Sequence, residues 1–329
     1  MPASPEDQVL AAFRRRPGTA LLGDDTAHLV LPPGRDWVVT TDAQIAGVHF
    51  PTELDAPVVA RRLLAVNLSD LAAAGATPSH ALLALVTPEG SSPRRFLDAF
   101  LDACQTAGVT LAGGDLARGP VLHGTATLFG TVPAAGPFAS RSGGRPGDAL
   151  WVGGSLGESG AGRLVLAEGA HLAGDHVVLP ASLRATPDLA AAARAAVRRH
   201  LAPTPQLELG SWLRETGRAA VMDLSDGLAR DLPRLAARSG CGAEIDEAEL
   251  PSSPGFSSLA QALGADPVEL AFEGGEDYVL LFCLPAGLSP PEHFGARPLG
   301  RLIAGDELRV VSREGERRPW PTGGWDHLG

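Results

Sequence analysis

The chain has no lysine: it is 329 residues long, and all 27 of its basic residues other than histidine are arginine. This absence excludes chemistry that needs a lysine amine, such as Schiff-base formation, pyridoxal-phosphate attachment, or the phosphate-binding lysines of P-loop enzymes and protein kinases. If the protein handles phosphate groups, then metal ions, arginine and backbone N–H groups must supply the positive charge. The net charge of −11 argues against a nucleic-acid partner and against an anionic membrane surface.

Cysteines and long apolar runs are also scarce. The three cysteines, Cys104, Cys241 and Cys283, are far apart and lack metal-site spacing, so we expect them to be reduced and buried. No stretch reaches the roughly 18 apolar residues of a membrane-spanning helix. The N-terminus is polar and runs into Arg14-Arg15-Arg16, unlike a signal peptide. These features predict a cytoplasmic protein that does not bind membranes.

The length of the chain favours two domains. Its 40 glycines and 28 prolines predict many turns. The best candidate boundary is the short segment Val132–Pro137, which consists of small residues and proline. We therefore predict an N-terminal domain over residues 1–136 and a C-terminal domain over residues 137–329.

A predicted helix that begins near Pro57 carries one acidic residue on an apolar surface. Val59, Leu63 and Val66 recur at helical spacing, and Asp70 continues their stripe. An ionised carboxylate in apolar surroundings needs a cation, hydrogen-bond donors or a metal ion. From its position alone, Asp70 is either a hydrogen-bonded residue near a helix end or a metal ligand.

Acidic residues recur where predicted strands meet loops or where glycines flank a turn. The predicted strands Trp37–Thr41, Leu111–Asp115 and Ala219–Met222 each lead to an aspartate. In α/β folds such junctions carry ligand groups, and glycine lets the backbone approach a ligand closely. Carboxylates without a His or Cys set favour Mg²⁺ or Mn²⁺ over Zn²⁺, and several such ions suit a nucleoside triphosphate. The candidate acids are Asp24, Asp25, Asp42, Asp115, Asp223, Asp226, Glu276 and Asp277.

Four other residues have two readings each. Arg118 and Arg141 lie next to glycine-rich segments and are either bidentate phosphate ligands or solvated surface residues. His49 lies between Gly47 and Phe50 and is either a ligand or an ordinary loop residue. Trp325 is either part of a frayed tail or packed on the chain, and we expect packing because an exposed indole wastes apolar area.

Together these stretches closely resemble the thiamine-monophosphate kinase family, in the superfamily of aminoimidazole ribonucleotide synthetase and selenophosphate synthetase. The resemblance runs nearly end to end. The early reactive cysteine of selenophosphate synthetases is absent, since the first cysteine is Cys104, in a predicted helix. The matching segments are Gly23–Ala27, Thr40–Asp42, Gly47–Phe50, Asn67–Asp70, Gly113–Asp115, Arg118-Gly119, Arg141–Gly143, Pro146–Asp148, Asp223–Leu228, Gly274–Tyr278 and Gly324–His327.

The resemblance implies an α/β fold of the α+β type: the two-domain aminoimidazole ribonucleotide synthetase-like fold, whose N-terminal strands form a barrel across a homodimer. ATP and several Mg²⁺ ions, or Mn²⁺, would lie in a cleft that the C-terminal domain closes. Matching positions imply metal ligands at Asp25, Thr40, Thr41, Asp42, Asp70, Asp115, Asp223 and Asp226. They imply nucleotide-binding residues at Gly114, Asp115, Arg141 and Ser225, and substrate-binding residues at His49, Glu276 and Trp325.

The implied reaction transfers the γ-phosphoryl group of ATP to thiamine monophosphate. The acceptor is already an anion, so no catalytic base is implied, and catalysis would consist of positioning and charge neutralisation. Two sites depart from the family pattern: Leu116-Ala117 replace two threonines that usually follow Gly-Gly-Asp, and Trp325 stands where tyrosine or phenylalanine is common.

Two alternatives remain open. One is a related ATP-dependent synthetase of the same superfamily, of the aminoimidazole ribonucleotide synthetase or hydrogenase-maturation type. The other is a nucleotide-binding regulator without catalytic activity. The acidic set argues against the regulator, because a degenerate site is expected to lose some of its carboxylates.

Overall fold

The computed structural model describes residues 15–16, 19, 21–22 and 26–325, and the fold concerns these residues. Their contacts divide the chain into two compact units. Unit 1 contains the described residues up to Leu71 together with Ala76–Gly136, and unit 2 contains Ala72–Gly75 and the residues from Pro137 onward. Among the described helices, none combines the length and the apolar character needed to cross a membrane.

Unit 1 contains a four-stranded mixed sheet and two helices. The strand order is β1-β4-β2-β3, and β2 and β3 pair in parallel while the other pairs are antiparallel. Alternate residues of β2 and β4, such as Leu83 and Ala126, are buried, as expected of a sheet with one face on a core. The elements are β1 (Arg35–Ile45), α1 (Ala56–Ala73), β2 (Thr77–Thr87), α2 (Arg94–Thr106), β3 (Thr110–Arg118) and β4 (His123–Pro133).

Unit 2 contains a seven-stranded sheet of order β13-β12-β9-β11-β5-β10-β8, and a hairpin of β6 and β7. Within the large sheet only β9 and β12 pair in parallel among the described pairs. The elements are β5 (Ala149–Val152), α3 (Glu158–Ala167), β6 (His171–Ala173), β7 (His176–Val178), a 3₁₀ turn (Ala181–Arg184), α4 (Pro187–Leu201), α5 (Leu207–Thr216), β8 (Ala220–Asp223), α6 (Leu228–Ser239), β9 (Gly242–Asp246), a 3₁₀ turn (Glu247–Glu249), α7 (Phe256–Ala262), α8 (Pro267–Glu273), β10 (Leu280–Leu284), a 3₁₀ turn (Glu292–Phe294), β11 (Arg297–Ile303), β12 (Leu308–Val311) and β13 (Arg317–Pro319).

The core of unit 2 centres on β10, which is buried at every position. This follows from its continuous apolar sequence, since a strand covered on both faces needs no polar alternation. Leu228, Leu232 and Leu235, which recur at helical spacing in α6, belong to the same core cluster. The short loop from β8 to α6 is therefore held between a buried strand and a buried helix face.

Several sequence-based predictions can be compared with these elements. The mixed α/β class and the helix carrying Asp70 are confirmed, and all three cysteines are unpaired and buried. The predicted ends of two strands are wrong, because Asp42 lies within β1 and Asp115 lies within β3. Pairing of β1 with β4 and of β3 with β2 continues through these polar residues, so tertiary pairing outweighs their low strand propensity.

Candidate active site

One face of β1 carries two predicted metal-binding residues, Thr40 and Asp42, next to α1, which carries a third, Asp70. The hydroxyl of Thr40 donates to Oδ2 of Asp70 at 2.5 Å. The N–H of Asp42 donates to Oδ1 of Asn67 at 3.0 Å, and the Asn67 amide donates in turn to the carbonyl of Leu63 at 2.8 Å. Because side chains alternate along a strand, Thr40 and Asp42 point to the same side. Asn67, which is fully buried, thus fixes β1 against the helix that carries Asp70.

Thr41, also a predicted metal ligand, points its side chain to the opposite face of the sheet. Its hydroxyl donates to the carbonyl of Ala126 at 3.1 Å and accepts from the hydroxyl of Thr127 at 3.1 Å. The Thr41 side chain therefore does not join those of Thr40 and Asp42.

His49 lies in a tight turn directly after β1. The N–H of Gly47 donates to the carbonyl of Phe50 at 2.8 Å, which closes the turn. The N–H of Ile45 donates to Nδ1 of His49 at 3.1 Å. An accepting Nδ1 favours the neutral tautomer with its proton on Nε2, which equips the ring as a hydrogen-bond donor.

Gly114 and Asp115 are exposed on β3, at the other edge of the sheet from β1. Asp42, Ala126, Leu83 and Gly114 form one row across the four strands. Three strand spacings separate the ends of this row by about 14 Å. Asp115 of the same chain therefore does not share an ion with Asp42. Gly114 is required by sterics, because a Cβ there would collide with the carbonyl oxygen of Leu83.

In unit 2, three chain segments meet at the end of β8. The N–H of Glu276 donates to the carbonyl of Ser225 at 2.7 Å, and the N–H of Trp325 donates to the carbonyl of Asp226 at 3.1 Å. Asp223 and Asp226 are 5% and 8% exposed. The structure thus brings together Asp223, Ser225, Asp226, Glu276 and Trp325, which we call the β8 cluster.

Two residues of α6, not identified from the sequence, organise this cluster. Oδ2 of Asp231 accepts from the N–H groups of Ser225 and Asp226 at 3.0 and 2.9 Å. Arg234 donates to Oδ2 of Asp226 at 2.6 Å and to Oδ1 of Asp231 at 2.7 Å. Asp231 is fully buried, and burial raises the pKa of its carboxyl to about 6. An aspartate in the first turn of a helix is ordinary, so the sequence carries no signal of this role.

Asp277 fixes the loop that carries Glu276. Its carboxylate accepts from the N–H groups of Gly157 and Ser159, at the start of α3, at 2.7 and 3.0 Å. The residues on either side, Glu276 and Tyr278, have φ angles of 56° and 48°. Non-glycine residues adopt such angles only where the surroundings impose them. The anchored Asp277 therefore determines the direction in which Glu276 leaves the backbone.

The glycine-rich turn before α3 is not a phosphate-binding loop, although it follows a strand and opens a helix. The Asp277 carboxylate already occupies the N–H groups at this helix start, where an anion would otherwise bind. Burial is the dominant effect and raises the pKa of Asp277 to about 6. The hydrogen bonds from the two N–H groups act in the opposite direction and offset only part of this rise.

Glu276 and Trp325 are held from different sides. Nδ1 of His200, a residue 2% exposed, lies 3.5 Å from Oε2 of Glu276 and 3.0 Å from the Ser159 hydroxyl. Arg230 donates to the carbonyl of Trp325. Trp325 thus docks through its backbone and stays 43% exposed, so it is packed on the chain only in part.

The two candidate arginines, Arg118 and Arg141, each have contacts within their own unit. Arg118 of β3 donates to the Thr87 hydroxyl at 3.0 Å and to two backbone carbonyls of the loop after β2. The carbonyl of Arg141 accepts from the Ser239 hydroxyl at 3.2 Å. Ser239 ends α6, a helix of 12 residues, so this contact lies about 18 Å from the helix end next to Asp226.

No three His, Cys, Asp or Glu side chains within the described residues form a group that could hold a metal ion. Asp25, a predicted ligand, lies outside the described residues. The donors that are present are hydroxyl and carboxylate oxygens, which fit Mg²⁺ or Mn²⁺. The largely buried carboxylates beside Arg234 also fit a divalent cation, because buried negative charge requires compensation. Within unit 1 these donors are those of Thr40, Asp42 and Asp70, and within unit 2 they are those of Asp223 and Asp226.

Two family models match the chain: "AIR synthase related protein, N-terminal domain" over residues 23–132 and "AIR synthase related protein, C-terminal domain" over residues 145–289. Thiamine-monophosphate kinase of Escherichia coli (strain K12) is 36% identical over 93% of this chain and 91% of its own length. That of Salmonella typhimurium is 38% identical over 80% of this chain and 76% of its own length.

Among solved structures, "AaThiL complexed with AMPPCP and TMP" is 30% identical, with a TM-score of 0.75 over 97% of this chain and 96% of the other. The similarity to these proteins extends over nearly the whole chain, so it includes the segments that were predicted to carry the site. The chain belongs to the AIR synthase related proteins and, within them, to the thiamine-monophosphate kinase family.

Proposed function

We propose that the protein phosphorylates thiamine monophosphate with ATP, yielding thiamine diphosphate and ADP. An oxygen of the acceptor phosphate forms a bond to the γ-phosphorus of ATP, and the bond between that phosphorus and the bridging oxygen breaks. The observation that carries the proposal is the β8 cluster. It combines buried carboxylates, a glutamate and an exposed indole in a chain 30% identical to a structure with an ATP analogue and TMP.

The proposed metal ligands are oxygen donors of β1, α1, β3, β8 and the loop after β8, together with Asp25. Mg²⁺ ions bound there would neutralise the phosphate oxygens of ATP and align the reacting groups, as metal ions do in phosphoryl transfer. The absence of lysine supports this role for the metal ions, since metal ions and arginine must then supply the positive charge that neutralises the phosphates. The proposed metal ligands are Asp25, Thr40, Thr41, Asp42, Asp70, Asp115, Asp223 and Asp226.

The nucleotide and the acceptor would be bound by other residues of the same segments. Gly114, Asp115, Arg141 and Ser225 are the proposed nucleotide-binding residues. Glu276 supplies a carboxylate and Trp325 an exposed aromatic face, which suit a cationic thiazolium ring and an aminopyrimidine. His49 supplies an Nε2–H donor in the tautomer that Ile45 favours.

The proposed assembly is a homodimer that closes the sheet of unit 1 into a barrel. The sheet face opposite α1 carries Val39 and Leu82, which are 62% and 37% exposed. On the same face, Trp37 packs edge-on against His80 and Phe129, with ring centroids 5.8 and 6.1 Å apart. An apolar, aromatic sheet face of this kind is typical of a protein–protein interface.

The test is an assay of the purified full chain with ATP, Mg²⁺ and thiamine monophosphate. Stoichiometric thiamine diphosphate and ADP are expected, with no ADP when Mg²⁺ is chelated. Folded protein that forms no thiamine diphosphate at any Mg²⁺ concentration would refute the proposal. ADP formation only with a carboxylate or amide acceptor would instead favour a synthetase of the same superfamily.

A further inference from the structure

The guanidinium of Arg234 forms ion pairs with two carboxylates that differ in solvent exposure. One is Asp226, whose side chain is 12% exposed, and the other is Asp231, whose side chain is fully buried. The same nitrogen of Arg234 lies 2.6 Å from Asp226 and 2.7 Å from Asp231. The Arg234 side chain itself is 42% exposed, so it has room to move towards solvent.

Asp231 is the fixed member of this arrangement. Its Oδ2 accepts from the N–H groups of Ser225 and Asp226, and Asp231 and Arg234 are three residues apart on α6. Neighbours at this spacing stay together for as long as the helix is intact. Arg234 can therefore release Asp226 and remain paired with Asp231, whereas the reverse would require the helix to deform.

A cation bound to Asp226 and the Arg234 guanidinium compete for the same carboxylate. Oδ2 of Asp226 is engaged by Arg234, and a metal ion binding there would meet a positive charge within hydrogen-bond distance of its ligand. Like charges repel strongly at such separations in partly buried sites.

We infer that Arg234 is the resident counter-ion of Asp226, which a divalent cation must displace, and that it thereby sets the cation affinity of the β8 cluster. This inference rests on the proposed function, which assigns Asp226 as a metal ligand. Arg234 stabilises the buried carboxylates in the absence of metal. When a cation binds Asp226, Arg234 must give up its ion pair with Asp226 and keep only the one with Asp231. Metal binding is weaker as a result.

The experiment measures Mn²⁺ binding to the full chain without nucleotide, by electron paramagnetic resonance of the free ion. In Arg234→Gln the amide can still donate to Asp231, but the competing charge is gone. We expect its Kd for Mn²⁺ to fall about tenfold, equivalent to about 1.4 kcal/mol. Arg238→Gln, an exposed residue one turn further along α6, is the matched control and should bind within twofold of the unmodified chain.

Further variants separate this inference from the function on which it rests. Asp226→Asn should weaken Mn²⁺ binding, and Arg234→Gln should then have no further effect. Arg234→Lys retains the charge without the planar fork, so its Kd should lie between those of the unmodified chain and Arg234→Gln. It also serves if Arg234→Gln does not fold.

Unchanged or weaker Mn²⁺ binding in Arg234→Gln or Arg234→Lys, with Asp226→Asn impaired, would overturn the inference and leave the proposed function standing. If Asp226→Asn binds Mn²⁺ as the unmodified chain does, Asp226 is not a ligand, and the inference and the ligand assignment both fail. An equal gain in Arg238→Gln would attribute the effect to net charge and would also overturn the inference.

Discussion

Thr40 and Asp70 show how a single residue of this protein acquires a role from its partners. Asp70 lies on a helix that is otherwise largely buried, and the Thr40 hydroxyl holds one of its oxygens at 2.5 Å. Both readings of Asp70, as a hydrogen-bonded residue and as a metal ligand, are compatible with this contact. A carboxylate held by a short hydrogen bond is preorganised, which lowers the cost of binding a cation.

Asp70→Asn separates these two readings. We expect turnover to fall about 100-fold and the Mg²⁺ requirement to rise. The Asp70 carboxylate is proposed to hold a metal ion, and the charge stabilisation that such an ion gives a transferring phosphoryl group is worth several kcal/mol. Asparagine can still accept from Thr40, so thermal unfolding should change little. Steady-state kinetics over a range of Mg²⁺ concentrations is the measurement. Asp36→Asn, an exposed aspartate on β1, is the control, and an unaltered Mg²⁺ dependence in Asp70→Asn would remove Asp70 from the metal ligands.

Asp277 gives a pH-dependent prediction. Burial raises its pKa in the folded chain to about 6, above its ordinary value of 3.8. Its contribution to the free energy of unfolding is therefore fully present below pH 3.8 and is lost as the pH rises through about 6. Relative to Asp277→Asn, the unmodified chain should gain up to about 3 kcal/mol as the pH falls across this window.

Urea unfolding at several pH values, at which both chains are folded, measures this difference. Asp175→Asn changes an exposed aspartate of the β6–β7 hairpin and should give no such trend. A stability difference between Asp277→Asn and the unmodified chain that is independent of pH would show that burial does not control this carboxyl.

At the scale of single residues, the sequence identifies site residues whose type and motif are distinctive. It does not identify the side chains that hold those residues in place. Asp42, Asp70 and Asp226 stand out because acids follow apolar or glycine-rich stretches. Asp231 and Arg234 do not, because polar residues on a helix are ordinary until the packing of the helix shows what they face. The separation of Thr41 from Thr40 follows from strand alternation alone, because the predicted strand Trp37–Thr41 already contains both residues.

At the scale of secondary structure, α6 shows how a helix tolerates an internal proline. Pro233 lies within the helix and lacks the N–H that would bond to the carbonyl of Ala229. The indole N–H of Trp320 donates to that carbonyl at 2.7 Å. The Trp320 ring also packs edge-on against Phe272, with centroids 5.4 Å apart. A residue near the end of the described chain thus completes the hydrogen bonding of α6.

Trp320→Phe should cost about 1–3 kcal/mol of unfolding free energy, because it leaves a helical carbonyl without its donor. In a Pro233→Ala background the helix supplies that donor itself, so the cost of Trp320→Phe should shrink. A double-mutant cycle by urea unfolding measures the coupling between the two positions. Equal costs in both backgrounds would mean that Trp320 stabilises the fold through ring packing alone.

Most elements could be placed from sequence, and their ends were less predictable. The helix around Asp70 and the α6 helix follow from apolar spacing, and β10 follows from its continuous apolar run. β1 and β3 extend beyond their apolar residues, because their hydrogen bonds come from neighbouring strands that are distant in sequence. Local pattern does not encode that pairing, which is why Asp42 and Asp115 were expected at strand ends.

At the scale of the whole molecule, the open face of the unit 1 sheet is the feature that points beyond the single chain. Val39→Asp places a charge at the centre of this face, at a residue 62% exposed in the single chain. We expect it to shift a dimer of the full chain to monomers in sedimentation equilibrium, because burying an unpaired carboxylate in an apolar interface is costly. Thermal unfolding of the isolated chain should change little.

Val178→Asp is the matched control, at a residue 40% exposed in the β6–β7 hairpin of unit 2. It should leave the oligomeric state unchanged. A monomeric unmodified chain, or a Val39→Asp variant that remains dimeric, would contradict the proposed use of this face.

The docking of Trp325 has a consequence for biosynthesis. Its carbonyl accepts from Arg230, 95 residues earlier in the chain, and its N–H donates to the carbonyl of Asp226. During translation the loop after β8 is made long before its covering residue leaves the ribosome. Asp226 is therefore synthesised well before Trp325 can dock on it, so the β8 cluster is completed only after translation has passed residue 325.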